Sequence, residues 1–455
     1  PKSKNQKTVV SLAPADIKKE GPAFDLAIAL SYLLAAGDIK FNPKGKLFVG
    51  EMSLDGHLRK MNGVLSVTKE AKQRGFGEVY VPKENAREAA LIEGISVFPV
   101  ESLTEIVEHL YQKRGGENRG KTIKPQPATV LNTDQEEERE DIDEIRGQET
   151  AKRGLLLAAA GGHNIALYGP PGTGKSMLAK AFRTLLPPLS YDETLEVTSI
   201  HSVAGTLRGD LITEAPFRSP PHTSSYVSLI GGGSIPTPGE ITLAHRGVLF
   251  LDEFPEFDRR GIEALRQPLE DHTVSVSRAR GSHTFPAHFI LVAALNPCPC
   301  GNFGSDKECV CMPTALLRYQ RKLSGPIMDR IDIWIEVGKI PLQKLSEKLK
   351  SSGQTKRMRE SILAAQGKQR ERFKGEKRKM SRNSERSSKE ISKLVELSPK
   401  ITALLNASAE KLGLSPRSYH KVIKLARTIA DVEGSEGVQQ EHLLEALQYR
   451  PKKWQ

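Results

Sequence analysis

Gly169-Pro170-Pro171-Gly172-Thr173-Gly174-Lys175-Ser176 stands between an apolar run, Ile165-Ala166-Leu167-Tyr168, and a helix-like run from Met177 to Leu185. Strand, glycine loop, helix is the order that a phosphate cradle requires. The glycines let successive backbone N–H groups curl round phosphate oxygens, and the helix that follows points its positive end at them. The full G-x-x-x-x-G-K-[ST] spacing makes all eight residues candidates for holding a nucleoside triphosphate. It assigns Lys175 to the β- and γ-phosphates and the Ser176 hydroxyl to Mg2+.

Two further runs complete the chemistry. Gly247-Val248-Leu249-Phe250-Leu251-Asp252-Glu253 reads as a buried strand ending in two acids. Such a strand delivers Asp252 to the magnesium shell and leaves Glu253 to polarise the attacking water as general base. Phe289-Ile290-Leu291-Val292-Ala293-Ala294 is a third buried run, ending at Asn296-Pro297, where an amide can orient that water. Continuous apolar strands with chemistry at their carboxyl ends indicate an α/β fold with a parallel sheet.

Outward from this core, residues 138–340 read as the P-loop ATPase block. Residues 341–455 read as helical, closing with helices over 416–433 and 438–449. On the other side, 113–137 has no periodic apolar face and carries Pro125 and Pro127, which suits a linker. Residues 1–112 alternate strand and helix signals. Leu47-Phe48-Val49 and Val79–Pro82 are short strands, Ser66–Arg74 and Asn85–Glu93 are helices, and Ser102-x-x-Glu105 is a capping box. The chain begins without Met, close to a strand-like run at Thr8–Leu12, as if inside a domain.

Composition sets the outer limits. The 455 residues suit two to four domains, and no apolar stretch reaches the length of a membrane helix. The formal net charge of +12 is concentrated, since 341–400 holds 18 Lys/Arg against 7 Asp/Glu. A stretch of this kind attracts polyanions, or else is a solvated helix face. All four cysteines, Cys298, Cys300, Cys309 and Cys311, fall in one short segment, which suggests a reducing, cytoplasmic setting. Four thiolates on one loop suffice for a closed tetrahedral Zn2+. Four free thiols, or a disulfide formed on oxidation, are the alternatives.

Taken together, Lys175, Asp252-Glu253 and Asn296 resemble the AAA+ superfamily. Other phrases are similar to its magnesium-chelatase-like branch of the ComM (YifB) type. They are Asp143–Gln148, Pro216–Thr223, Leu265–Asp271, Asn296–Gly301 and Ser324–Asp332. One departure is Pro221, where that family carries a second His. The resemblance implies an AAA+ P-loop core with a helical lid, assembled as a ring, a hexamer, with ATP between subunits. It adds Ile145 and Gly147 to the nucleotide-binding positions. It makes Arg330 the arginine that a neighbour supplies, with an internal pair to Asp329 or Asp332 as the alternative. It places Arg417, at the start of a lid helix, on the nucleotide of its own chain.

The amino-terminal block resembles part of a Lon-protease-like (S5 domain 2-like) α/β domain. The positions of its peptidase Ser and Lys fall here on Ala23 and Leu65. A methyl and an isobutyl group cannot attack an amide, so no peptidase activity is expected. The resemblance implies a DNA motor, a helicase or branch-migration translocase in recombination during natural transformation. A magnesium-chelatase-like remodelling ATPase is the alternative. Thr273–Gly281 reads as a β-hairpin with Arg278 and Arg280 at its tip, suited to sequence-independent phosphate contacts. Gly231-Gly232-Gly233 is a second pore candidate.

Overall fold

The computed structural model describes residues 8–12, 21–111, 122–130, 141–209, 211–233, 236–278, 281–304, 306–323, 325–341, 343, 353–374 and 382–451. They fall into two compact units, 1–134 with 190–213, and 135–189 with 214–455.

The first unit is built on a parallel three-stranded sheet, Lys46–Phe48, Glu78–Pro82 and Ser96–Val100 in that order. Phe48, Tyr80 and Phe98 stack across it with successive ring centroids 4.8 Å apart. Ser102 caps the helix Leu103–Leu110 by accepting from the Glu105 N–H, but the Glu105 carboxylate takes the Glu101 N–H rather than closing the expected box. Ala23 lies in a 3-10 turn, and buried Leu65 lies in the helix Val64–Gln73. The helix Tyr191–Val203, far along the chain, belongs to this unit. The Ser66 and Ser199 hydroxyls meet at 2.6 Å, and the Gly63 N–H donates to Ser202 Oγ at 2.9 Å.

Two expectations change here. Thr8–Leu12 forms no strand and its Val9, Val10 and Leu12 are exposed, since no strand among the described residues pairs with it. Within the proline-rich stretch, 122–130 has no regular structure yet is fastened to the first unit. Gln126 N donates to Val97 O at 2.7 Å, Thr129 N to Ala90 O at 3.1 Å, and Ile123 is buried.

The second unit holds the glycine loop. Its elements in chain order begin with α1 (Glu149–Gly161), β1 (Ile165–Tyr168), α2 (Lys175–Leu185), β2 (Phe217–Arg218) and β3 (Val248–Leu251). The hairpin strands β4 (Thr273–Arg278) and β5 (Gly281–Pro286) follow, then β6 (Ile290–Leu295), α3 (Pro313–Lys322) and β7 (Ile333–Glu336). Helices α4 (Gln354–Arg372), α5 (Pro416–Val432) and α6 (Gln440–Gln448) complete the set used below. Five strands form one sheet in the order β7-β1-β6-β3-β2, every pair parallel.

The strands are apolar throughout because both faces are covered. Ile165, Leu167, Val248, Phe250 and Val292 enter the core shared with α1, α2, α4 and α5. Ala166, Leu249, Leu251, Leu291 and Trp334 enter a second core with the hairpin and the helices of 254–271. Burying a Leu- or Ile-sized side chain in either core stabilises by about 2 kcal/mol. With strands parallel and apolar on both sides, every carboxyl end faces one edge, and the loops there are free to carry polar residues.

Candidate active site

β1 and β6 end in register, Leu295 beside Tyr168, so their loops leave the sheet together. Gly169 is clamped between neighbouring strands. Its N–H donates to Leu295 O at 3.2 Å, and a Cβ there would lie 2.2 Å from the Val337 carbonyl oxygen, so only glycine fits. Gly172 and Gly174 take left-handed φ values of 76° and 91°, which turns the loop back over the start of α2.

Lys175 is buried, and its ammonium donates to the carbonyls of Gly169 and Pro170, both at 2.8 Å, and to Asn296 Oδ1 at 3.1 Å. Burial pulls its pKa down, opposed by the Asp252 carboxylate. The Ser176 hydroxyl donates to Asp252 Oδ2 at 2.8 Å. β1, β3 and β6 thus bring Lys175, the Ser176–Asp252 pair and the Asn296 amide to one edge. Glu253 follows in a left-handed conformation, φ 50°, with its N–H on Asp252 Oδ1 at 3.0 Å. Its half-exposed carboxylate lies 3.2 Å from His222 Nδ1, a partner that the sequence reading left without a role.

The segment before α1 meets the glycine loop through Gln148. Ile145 is buried in the core and Gly147 occupies a turn at φ 58°. Gln148 makes the contacts, donating to Gly338 O at 2.7 Å and, at the long limit, to Thr173 O at 3.4 Å.

Arg330 and Arg417 lie elsewhere. Asn164, just before β1, donates from its side chain to Arg330 O at 3.2 Å and accepts from the Asp332 N–H at 2.9 Å. Arg330 is therefore fixed at the amino end of β1, while the cradle begins at its carboxyl end. Four residues of strand separate the two by about 13 Å. Arg330 donates to Glu270 at 2.6 Å and to Pro326 O at 2.6 Å, so its internal partner is neither Asp329 nor Asp332. Glu270 also pairs with Arg417. Ser415 and Ser418, beside Arg417, donate to Asp329, which holds the start of α5 at this same end. The resemblance puts Arg417 on its own chain's nucleotide; in the structure it pairs with Glu270 beside Arg330. Beneath the pair, buried Asp332 accepts from Asn164 N at 3.1 Å and pairs with Lys421 of α5. Burial alone would raise its pKa, but the Lys421 ammonium and the His163 ring hold its carboxyl far below the usual range.

The four cysteines converge. Cys298 Sγ lies 3.4 Å from Cys300 Sγ and 3.7 Å from Cys309 Sγ, and all four ligand atoms lie within 4.8 Å of one another. A tetrahedron of four Zn–S bonds of about 2.3 Å has edges of about 3.8 Å, so the spacing suits such an ion. The Phe303 N–H donates to Cys298 Sγ at 3.3 Å, and the backbone N–H of Asn302 leads the effects that lower the Cys300 thiol to about 6.

The basic residues are partly committed inside the fold. Arg372 and Arg427 both pair with buried Asp431, and the buried Arg386 guanidinium sits 3.7 Å over the Phe373 ring. Residues 344–352 and 375–381 lie outside the described residues. The hairpin forms as expected, antiparallel with Arg278 opposite Gly281. Arg280 and the side chain of Arg278 lie outside the described residues. Gly231 and Gly232 pair with Thr237 and Pro238 as a short hairpin.

Residues 141–345 match the family described as magnesium chelatase, subunit ChlI, and 352–450 match the ChlI C-terminal family. Residues 2–85 match the family described as subunit ChlI of Mg-chelatase. The chain belongs to the magnesium-chelatase ChlI family. Within it, the chain is 40% identical to Competence protein ComM of Haemophilus influenzae, over 98% of this chain and 86% of that one. It is 39% identical to YifB of Escherichia coli K12, over 98% and 85%. A more distant likeness, 26% over 204 residues, is to the DNA replication licensing factor Mcm6 of Drosophila melanogaster, covering 42% of this chain and 22% of that one. Among the described residues of this ChlI-family chain, no helix is long and apolar enough to cross a membrane.

Proposed function

We propose that this ChlI-family chain is an ATP-hydrolysing AAA+ motor that acts on DNA as a ring. The observation that carries the reading is the division of labour along β1. Lys175, Ser176, Asp252 and Asn296 meet at one end, and Arg330 and Arg417 share Glu270 at the other. Lys175 holds the β- and γ-phosphates, Ser176 and Asp252 hold Mg2+, and Glu253, next to Asp252, takes the proton of the attacking water. A Mg2+ held by Ser176 and Asp252 would supply positive charge to the phosphates. The charge that grows on the transferred phosphoryl group needs a further cation. Neither arginine reaches the phosphates of its own chain, so a second copy brings its arginine end to this cradle. A closed ring, a hexamer, satisfies every copy at once. In this reading Arg417 acts beside Arg330 on the neighbour's nucleotide.

DNA is the substrate supported by the hairpin β4–β5, by the concentration of basic residues in 341–400, and by likeness to a competence protein and a replication licensing factor. The hairpin arginines Arg278 and Arg280 grip phosphates without reading bases, which suits a helicase or branch-migration translocase in transformation. The amino-terminal unit, in its resemblance to the Lon-type domain, serves to scaffold the ring. The four thiolates hold one structural Zn2+.

The deciding experiment is ATP hydrolysis with and without forked or three-strand DNA, over a salt series. DNA should raise turnover several-fold, and the effect should fade steeply as salt rises. The family name favours a second reading, a motor that remodels a protein for magnesium insertion. Turnover indifferent to every DNA tested would support that reading and remove the first.

A further inference from the structure

The cysteine loop is tied to the nucleotide cradle by one direct contact and by Asn296 just before it, which α3 also holds. It begins two residues after Asn296, whose amide oxygen accepts from Lys175 Nζ at 3.1 Å. It turns at Gly301, φ 78°, where a Cβ would stand 2.5 Å from Pro171 Cδ, so bare glycine backbone lies flat on the ring of a cradle residue. It runs on into α3, whose Tyr319 hydroxyl donates to the Asn296 carbonyl at 3.0 Å. The loop itself carries little apolar anchorage. Cys298 is buried, but Val310 and Met312 are exposed, and among the described residues no helix or strand lies between 296 and 312. Four ligands on one ion would supply the rigidity that the sequence lacks.

We propose that the four-thiolate metal site is a brace for the ATP cradle: the bound ion sets the turn that seats Gly301 on Pro171 and holds the Asn296 amide against Lys175. This rests on the reading of Gly169–Ser176 as an ATP site and adds a dependence of nucleotide affinity on a metal that never touches nucleotide. The ion is Zn2+ by ligand chemistry, since four thiolates select a soft tetrahedral cation and leave no position for substrate. The brace works by pre-organisation. With the loop unpinned, Pro171 and Asn296 sample other positions, and nucleotide must bear the cost of ordering them.

The test uses the full chain and a fluorescent ADP analogue, with metal content measured alongside Kd. The purified protein should carry about one zinc per chain. Stripping it with a thiol-safe chelator should weaken nucleotide binding by about tenfold or more, and adding Zn2+ back should restore it. Gly301→Ala keeps all four thiols while straining the turn and its seat on Pro171, so the zinc content measured on this variant separates the brace from the metal. It should retain its zinc and still bind nucleotide several-fold more weakly. Cys309→Ser should lose both metal and affinity, and the stripping and re-addition experiment stands in its place should that variant not fold. A protein without bound metal, or one whose nucleotide Kd ignores both metal removal and Gly301→Ala, overturns the brace. If Lys175→Ala binds the analogue as tightly as the parent chain, the ATP-site reading itself is what fails.

Discussion

The carboxyl end of β1 is made of backbone, and its amino end is made of charge. At the carboxyl end, glycines and carbonyls shape the cradle, and Lys175 spends its hydrogen bonds on Gly169, Pro170 and Asn296. At the amino end, Glu270 ties Arg330 to Arg417, and Asp332 with Lys421 is buried underneath. A backbone cradle is fixed by local spacing and works wherever a strand precedes it. A cluster of like charges has to be held by carboxylates drawn from other parts of the chain. In the proposed reading these are the two halves of a phosphoryl-transfer site, carried by one chain at opposite ends of one strand.

The largest effect should come from the cradle end. Lys175→Ala and Glu253→Gln should each abolish steady-state hydrolysis, and Lys175→Ala should also weaken nucleotide binding. Turnover near the parent rate in either variant would break the assignment of that end.

The arginine end should behave differently. Arg330→Ala should lower hydrolysis by about 10³-fold, in line with arginines that neutralise a transferring phosphate, while leaving nucleotide affinity close to that of the parent chain. Mixing Arg330→Ala with Lys175→Ala chains sharpens the comparison, because each variant supplies the end that the other lacks. Mixed rings should recover measurable turnover. No recovery, together with lost nucleotide binding in Arg330→Ala, would place both ends in one chain's site.

Asp332 should matter through stability. Removing one partner of a buried ion pair costs about 3 kcal/mol or more, so Asp332→Asn should lower the thermal midpoint clearly at neutral pH. The carboxyl pKa is depressed in the folded chain, so its contribution is present above the ordinary carboxylate range, near 4, and is lost as pH falls below it. Acid unfolding followed by circular dichroism should show a shallower acid limb in Asp332→Asn. An unchanged limb would mean that the pair does not fix this end.

The smallest effect belongs to Glu270→Gln. Its carboxylate is part-exposed, and such pairs contribute about 1 kcal/mol or less, so hydrolysis should fall only several-fold, with nucleotide affinity unchanged. A loss as large as that of Arg330→Ala would promote Glu270 from holding the arginines to a part in the reaction itself.

Much of the fold could be read in advance because its signals are local. The strands β1, β3 and β6 are apolar runs whose chemistry follows within two residues. Two strands of the five-stranded sheet escaped. β2 is only Phe217-Arg218, too short for any periodicity, and β7 follows charged Asp329-Arg330, which drew attention to the arginine instead. The partners of Glu253 and Arg330 also escaped. His222 precedes Glu253 by 31 positions, and Glu270 lies 60 from Arg330, so no spacing pattern links them.

The amino-acid order alone pointed to the glycine loop, to Asp252 and to Asn296 as residues that meet, because each is a short phrase at a strand's end and a parallel sheet brings such ends to one edge. It also set out four thiols on one loop. Only the tertiary structure decided that Arg417 joins Arg330 at Glu270, that Gln148 reaches Thr173 and Gly338, and that Gly301 rests on Pro171. Those placements follow from the strand order and from buried ion pairs between distant segments. Both depend on how helices and strands pack, which no local spacing specifies.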